Sequence, residues 1–235
     1  MCIAGRPCGV ISHWATTKLL DLPDSLWLCF SRCALTSGFC TTICRTRLAQ
    51  AARRGLGNVE ILTRDVVQLE LPEETYDRVV SIEMFEHMRN YRHLLGNVAG
   101  WLKPGGKLFV HIFVHRTLLY PFETEGDDNW MGRHFFTGGL MPATDTLLWF
   151  QQHLRIEQRW LVDGTHYQRT ANDWLRNQDA NREQVMRVLE QAYGPVTARL
   201  WYQRWRMFWM ACAELFGYAR GQEWLVAHYR FVRPA

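Results

Sequence analysis

The sequence predicts an α/β domain on a largely parallel sheet, with a helical cap inserted before the last strand. Two observations carry that expectation. Two short apolar runs, YDRVVSIE (76–83) and KLFVHIFVH (107–115), bracket a stretch of helical spacing that stops at Pro104-Gly105-Gly106. Strand, helix, strand over that length implies a right-handed crossover between parallel neighbours. The chain then closes on EWLVAHYRFVR (223–233), reached only after a mostly helical region at 171–216.

Taken in order, residues 1–47 show neither sustained alternation nor a helical stripe, and no strand is expected there. LAQAARRG (48–55) reads as the last turns of a helix, with Arg53 and Arg54 near its carboxyl end and Gly55 as the stop. NVEILTRD (58–65) reads as a strand ending on an aspartate, and the VVS centre of 76–83 as a strand buried on both faces. A helix spans 89–106 up to its Pro-Gly-Gly terminator, followed by the strand at 107–115. An aromatic loop (116–140), a helix–strand unit (142–163), the helices of 171–216 and the closing strand complete the chain. The division expected is a cysteine-rich segment, 1–47, and a single domain, 48–235.

Composition narrows the class. A chain of 235 residues that is 48% hydrophobic can bury one large core. Its net charge of +4 is mild and dispersed, so a nucleic-acid surface is not expected. No run reaches the ~18 apolar residues of a membrane span, and no secretory signal opens the chain. The expectation is a soluble, cytoplasmic protein. Six of seven cysteines (2, 8, 29, 33, 40, 44) crowd the first 44 residues, but the pairs at 29/33 and 40/44 are four apart, a poor match to zinc spacing. No metal site is expected, and oligomeric state is left open.

SIEMFEHM (81–88) is where chemistry enters. Glu83, Glu86 and His87 fall within five positions just after a buried strand. One reading is acidic decoration of a helix start, favoured by the dipole. The other is acid–base groups delivered to the carboxyl end of a sheet strand, where ligands collect in open α/β folds. On the next strand, alternation puts His111 and His115 on one face.

Several stretches resemble one family: YDRVVSIEMFEHMRNY (76–91), WLKPGGKLFVHIFVH (101–115), HFFTGGLMP (134–142), DGTHYQRTANDWL (163–175) and AELFGYARGQEWLVAHYRF (213–231). They are similar, in order and spacing, to the class I S-adenosylmethionine-dependent methyltransferases that include cyclopropane-fatty-acid synthases and coclaurine-type N-methyltransferases. The resemblance implies a Rossmann-like methyltransferase sheet, here with incomplete N-terminal strands, and S-adenosyl-L-methionine as cofactor. Glu83 before MFEH, FFTGG, GTHY and ELFGY resemble the N-methyltransferase branch, since cyclopropane synthases more often carry glycine at the position of Glu83. Methylation of a small-molecule amine is therefore expected, with cyclopropane-fatty-acyl-phospholipid synthase-like lipid modification as the alternative.

The resemblance also implies roles. Glu86 and His87 would take the proton of the incoming amine. Glu83 would attract the cationic substrate, or orient His87 from one helical turn away. Asp65 and Val66 would meet the adenine of the methyl donor, with Val80 beneath the cofactor. His111, Trp130, Phe135, Phe136, Tyr167 and Trp205 would line the substrate pocket, although each aromatic alone reads as packing. Cys212 matches a cysteine of the cyclopropane synthases but sits in an apolar helical pattern, where it reads as a small buried hydrophobe.

One departure stands against these matches. The family opens with a strand and a glycine-rich turn that lets the backbone approach the cofactor. Residues 1–47 hold Gly5, Gly9 and Gly38 but no GxGxG, and Asp21 and Asp24 end no convincing strand. Two explanations stand: the N-terminal segment is foreign to the fold, which is favoured and would leave a chain that binds the donor poorly, or it is a genuine but divergent replacement. A third reading follows, a non-catalytic remnant that binds a partner through an open sheet edge.

Overall fold

The computed structural model describes residues 27–31 (backbone only), 49, 52–55 and 65–235. Cys2, Cys8, Cys33, Cys40, Cys44, Gly5, Gly9, Gly38 and most of the strand expected at 58–65 lie outside the described residues, and only the end of the 48–55 helix is seen. Its expected stop, Gly55, stands at a left-handed φ of +70°.

Seven strands are described: β1 (Trp27–Ser31), β2 (Tyr76–Ile82), β3 (Leu102–His115), β4 (Tyr120–Pro121), β5 (Leu140–Met141), β6 (Arg155–Val162) and β7 (Trp224–Val232). Five form the main sheet, in the order β1-β2-β3-β7-β6. β1, β2 and β3 run parallel, whereas β7 lies antiparallel to both β3 and β6. The sheet is thus mixed. β1 corrects the expectation that no strand lies before residue 48. Its five residues, WLCFS, are too few for alternation to be read and too apolar to mark a solvent face.

Helix α1 (Tyr91–Trp101) starts at Asn90, whose side chain accepts the His93 amide at 3.1 Å. It stops at Trp101, before the Pro-Gly-Gly that the sequence read as its terminator, and Lys103–Gly106 already belong to β3. Pro104 lacks an N–H, Gly105 stands at φ +74°, and the β2–β3 register slips here between Tyr76 and Arg78, so KPGG enters the strand through an irregularity. Arg233 then clasps it, accepting from Gly105 N and donating its own N–H to Gly106 O.

Alternation sorts the sheet into two faces. Leu108, Val110, Ile112 and Val114 of β3 join Ala227, Tyr229 and Phe231 of β7 beneath Leu94, Leu95 and Val98 of α1, all fully buried. Each such aliphatic side chain contributes about 2 kcal/mol. The opposite face carries Val80, Ile82 and Phe109, then His111 and Phe113.

Short helix α2 (Trp130–His134) lies in the aromatic loop, and the unit at 142–163 is a 3₁₀ turn (Thr146–Trp149) followed by β6. The cap consists of α3 (Gly164–Ala180), α4 (Arg182–Tyr193) and α5 (Ala198–Gly217), and it begins seven residues earlier than the 171 expected. Asp-Gly at 163–164 reads as a turn, but Asp163 is the N-cap, its carboxylate accepting Thr165 N at 2.8 Å. Gly164 opens the helix because any Cβ there would overlap the carbonyl oxygens of Trp224 and Phe216. Among the described residues no helix is long and apolar enough to cross a membrane, and no group of histidine, cysteine and carboxylate side chains suits a metal ion.

Candidate active site

β2 ends at Ile82, and the backbone turns at once: Glu83 adopts φ +52°, a left-handed conformation rare outside glycine. Its N–H still donates to His111 O (3.1 Å), so the turn stays attached to β3. A 3₁₀ turn, Phe85–His87, follows, with Phe85 and Glu86 buried and Phe85 O accepting from the Tyr91 hydroxyl at 3.0 Å. Glu83 therefore does not share a helical turn with Glu86 and His87, as its spacing suggested; the left-handed residue redirects the chain between them.

The redirection fixes partners. Glu83 Oε1 lies 3.0 Å from His111 Nε2, and the Tyr167 hydroxyl donates to Glu83 Oε2 at 3.5 Å, a long contact. The imidazole that Glu83 orients is His111's. His87 is placed by stacking on Phe136, ring centroids 5.7 Å apart and nearly parallel, with its Nε2 3.9 Å from Glu86 Oε1. Gly139 backs the ring, since a Cβ there would sit 3.4 Å from His87 Nδ1.

Beside these groups opens a cavity of about 430 Å³, mouth included, lined by Phe113, Phe122, Met131, Phe136, Met141, Tyr167, Trp174, Phe208, Cys212, Leu215 and Phe216. Its walls are aromatic, thioether and leucine surface, and Tyr167, Trp174 and Cys212 are the lining residues that carry a polar side-chain hydrogen. Burial, then the charges of Glu83, Cys212 and Glu86, pushes the Tyr167 hydroxyl well above its ordinary pKa. Burial, then Glu83, raises the Cys212 thiol to about 12, so it stands as a protonated, unreactive wall group.

Of the aromatic residues expected in the pocket, Phe136 and Tyr167 line it. Phe135 stacks on Phe208 at 4.4 Å and meets Trp130 and Trp205 edge-on or tilted, so these three buttress the wall from behind. His111 lies off the cavity, joined to it through Glu83. His115 is a structural residue: Nδ1 accepts the amides of Thr117 and Leu118, and Nε2 lies 3.0 Å from Glu223 Oε1. Sequence reasoning missed Phe113, Trp174, Phe208 and Phe216. Phe113 shares the strand face of His111 and His115. Trp174 stands seven residues beyond Tyr167, and Phe208, Cys212 and Phe216 form an i, i+4, i+8 stripe, so helical and strand periodicity could have found them all.

Exposed Asp65 caps a 3₁₀ turn (Val66–Gln68), its Oδ1 accepting Val67 N at 3.0 Å. A carboxylate acceptor next to the Val66 amide suits the edge of an adenine. Val80, buried, packs with Ile82 and Phe109.

The family described as mycolic acid cyclopropane synthetase matches residues 41–223. (S)-coclaurine N-methyltransferase of Thalictrum flavum subsp. glaucum is 34% identical over 186 residues, 77% of this chain and 51% of that protein. The enzyme of the same name from Papaver somniferum is 35% identical over 181 residues, 75% of this chain and 51% of that one. The structure of a coclaurine N-methyltransferase bound to N-methylheliamine and SAH superposes with a TM-score of 0.75 at 33% identity, covering 82% of this chain and 58% of that one. The chain spans about half the length of the curated relatives it matches.

Proposed function

This chain belongs to the mycolic acid cyclopropane synthetase family, and from that premise we propose that it is an S-adenosylmethionine-dependent methyltransferase acting on the nitrogen of a flat, apolar amine. The observation that supports the reading is an aromatic cavity two of whose wall residues, Tyr167 and Phe136, contact Glu83 and His87 just past the carboxyl end of β2.

A secondary or tertiary amine is largely protonated at neutral pH and cannot act as a nucleophile until it loses that proton. Aromatic walls attract its cationic form and hold a flat ring system. Glu83 supplies a carboxylate beside Tyr167 to draw the ammonium inward. Glu86 or His87 accepts the N–H proton, freeing the lone pair; His87 is kept in place by the Phe136 stack. The proton remains on the base, which leaves the nitrogen lone pair free to act as the nucleophile. When bound, the methyl donor supplies an electrophilic sulfonium methyl group. Asp65 would accept from the exocyclic amine of its adenine, Val66 N would donate to the ring, and Val80 would lie below. The residues present fit the adenine end; residues 1–26 and 32–48, which carry no GxGxG, lie outside the described ones. The boundary at 47/48 is part of the same proposal.

Lipid modification is the second reading, favoured by the cavity's nearly unbroken apolar lining, which an acyl chain also fits. The deciding experiment is methyl transfer from radiolabelled S-adenosylmethionine to tetrahydroisoquinolines, simple amines and phospholipids. Labelled tertiary or quaternary amine is the expected product. Label in phospholipid alone would install the second reading, and label in nothing would install the non-catalytic one.

A further inference from the structure

The contact that holds Glu83 extends one residue further. His111 Nδ1 lies 2.9 Å from His228 Nε2, and the two rings stand 4.9 Å apart. They face each other directly in the antiparallel β3–β7 ladder, and His228 is half-buried against Phe109. Burial is the larger cause that lowers the His228 pKa to about 4, so it is neutral at physiological pH.

A neutral imidazole has one donor and one acceptor nitrogen, so such a chain has a direction. An ionised Glu83 can only accept. His111 Nε2 must therefore donate, and a neutral His111 is left with a lone pair on Nδ1. Only a proton on His228 Nε2 meets that lone pair. The charged and titratable groups around the chain are few. Glu83 and Tyr167 stand at its inner end, with Glu86 and Cys212 beyond them. On β7 itself Arg230 is taken up by Glu157, and Trp160 of β6 lies opposite His228.

We propose that His228 is a positioning residue: its Nε2–H donates to His111 Nδ1, so that His111 turns its own Nε2–H to Glu83 and the carboxylate keeps its charge, with its second oxygen at the hydroxyl of the cavity residue Tyr167. This rests on Glu83 being the carboxylate that meets the amine. Without His228, His111 can carry its proton on Nδ1, and its bare Nε2 then faces the carboxylate. Two lone pairs at that distance repel, so Glu83 must either bind a proton or swing away.

The test begins with the unaltered full chain, histidine-labelled with ¹⁵N, without ligand and near neutral pH. Both His228 and His111 should carry their protons on Nε2. A proton on His228 Nδ1, or a charged His228, overturns the proposal with no variant needed. A second arm measures binding of 1,2,3,4-tetrahydroisoquinoline by tryptophan fluorescence. His228→Leu should weaken it about fivefold to tenfold, and His228→Gln, whose amide N–H replaces Nε2–H, should stay within about twofold of wild type. A folded His228→Gln that binds as poorly as His228→Leu sinks the positioning role. If the unaltered chain binds no amine, the amine reading fails, and the tautomer spectrum still decides the inference.

Discussion

Glu83 and His111 are joined twice, once through the Glu83 N–H to the His111 carbonyl at 3.1 Å and once through carboxylate to imidazole at 3.0 Å. The first bond continues the β2–β3 ladder past the end of β2; the second aims the side chain. Between them they hold Glu83 at φ +52°, a conformation costing a non-glycine residue about 1–2 kcal/mol. Such backbone strain, held in place one contact from the cavity residue Tyr167, is what a functional site would call for.

Replacing Glu83 with glycine separates strain from chemistry. Glycine occupies the left-handed region freely, recovering about 1 kcal/mol that offsets the lost side-chain hydrogen bonds. The melting temperature of Glu83→Gly should therefore lie close to that of wild type. Amine affinity should fall about tenfold or more, as expected for losing a charge-assisted contact. A variant that melts far lower would make Glu83 a structural residue, and one that binds amine normally would remove it from the site.

On the proposed reading, His87 and Glu86 are the groups that take the amine's proton. His87→Ala and Glu86→Ala should each lower turnover about 100-fold, the ordinary scale of a lost general base. Because Glu86 is 1% exposed, the cleaner variant is Glu86→Gln, which preserves volume. Its loss should appear in kcat more than in KM. Wild-type turnover in both His87→Ala and Glu86→Gln would end the assignment.

Much of this was legible in the sequence, and the exceptions have physical causes. The central strands, α1 and the closing β7 follow from apolar runs and their periodicity. KPGG was misjudged because proline and glycine terminate helices and also permit a strand irregularity; local sequence does not distinguish the two. The cap's start was missed because Asp163 and Gly164 look like a turn until Trp224 and Phe216 arrive from about fifty residues away. Glu83 was placed with His87 by helical spacing, and a single left-handed residue, invisible to periodicity, gave it to His111 instead. Of the cavity wall, Phe136, Tyr167 and Cys212 follow from motif resemblance, while Phe208 and Phe216 sit on a helical stripe that periodicity shows but that reads as core until the cavity beside it is known.

Gly164 anchors the cap to the sheet. A methyl group there meets two backbone carbonyl oxygens, which cannot move like the end of a flexible side chain. Gly164→Ala should destabilise the fold by about 3 kcal/mol, the scale of an overpacked core site. Urea unfolding measures it. A change below about 1 kcal/mol would mean that the junction of α3, α5 and β7 yields easily.

Asp65 offers a test of the donor's adenine end without involving the amine. Asp65→Ala should weaken S-adenosylhomocysteine binding about fivefold to tenfold in calorimetry, the worth of one carboxylate hydrogen bond. Tetrahydroisoquinoline binding should be unchanged. Equal donor affinity in the variant would place the adenine elsewhere.

His228 ties stability to pH in a narrow window. Its folded pKa of about 4 lies below the ordinary 6.5, so between those values the unfolded chain binds a proton that the folded chain refuses. The stability from the neutral ring is thus complete above about pH 6.5 and is lost as pH falls toward 4. The full shift corresponds to about 3 kcal/mol, and partial solvent screening of a half-buried ring reduces it to about 2. Carboxylates with lowered values, such as Asp163 and Glu157, lose their contribution mainly at lower pH; His134, lowered by burial and then by Arg204 and Arg133, shares the upper window but is common to wild type and the His228 variant, so their difference reads His228. Denaturant unfolding at pH 7.5 and 5.0 should show wild type losing more stability than His228→Gln, by about 1–2 kcal/mol. Parallel losses in the two proteins would mean that His228 titrates normally, and its imidazole would then be free to charge against His111.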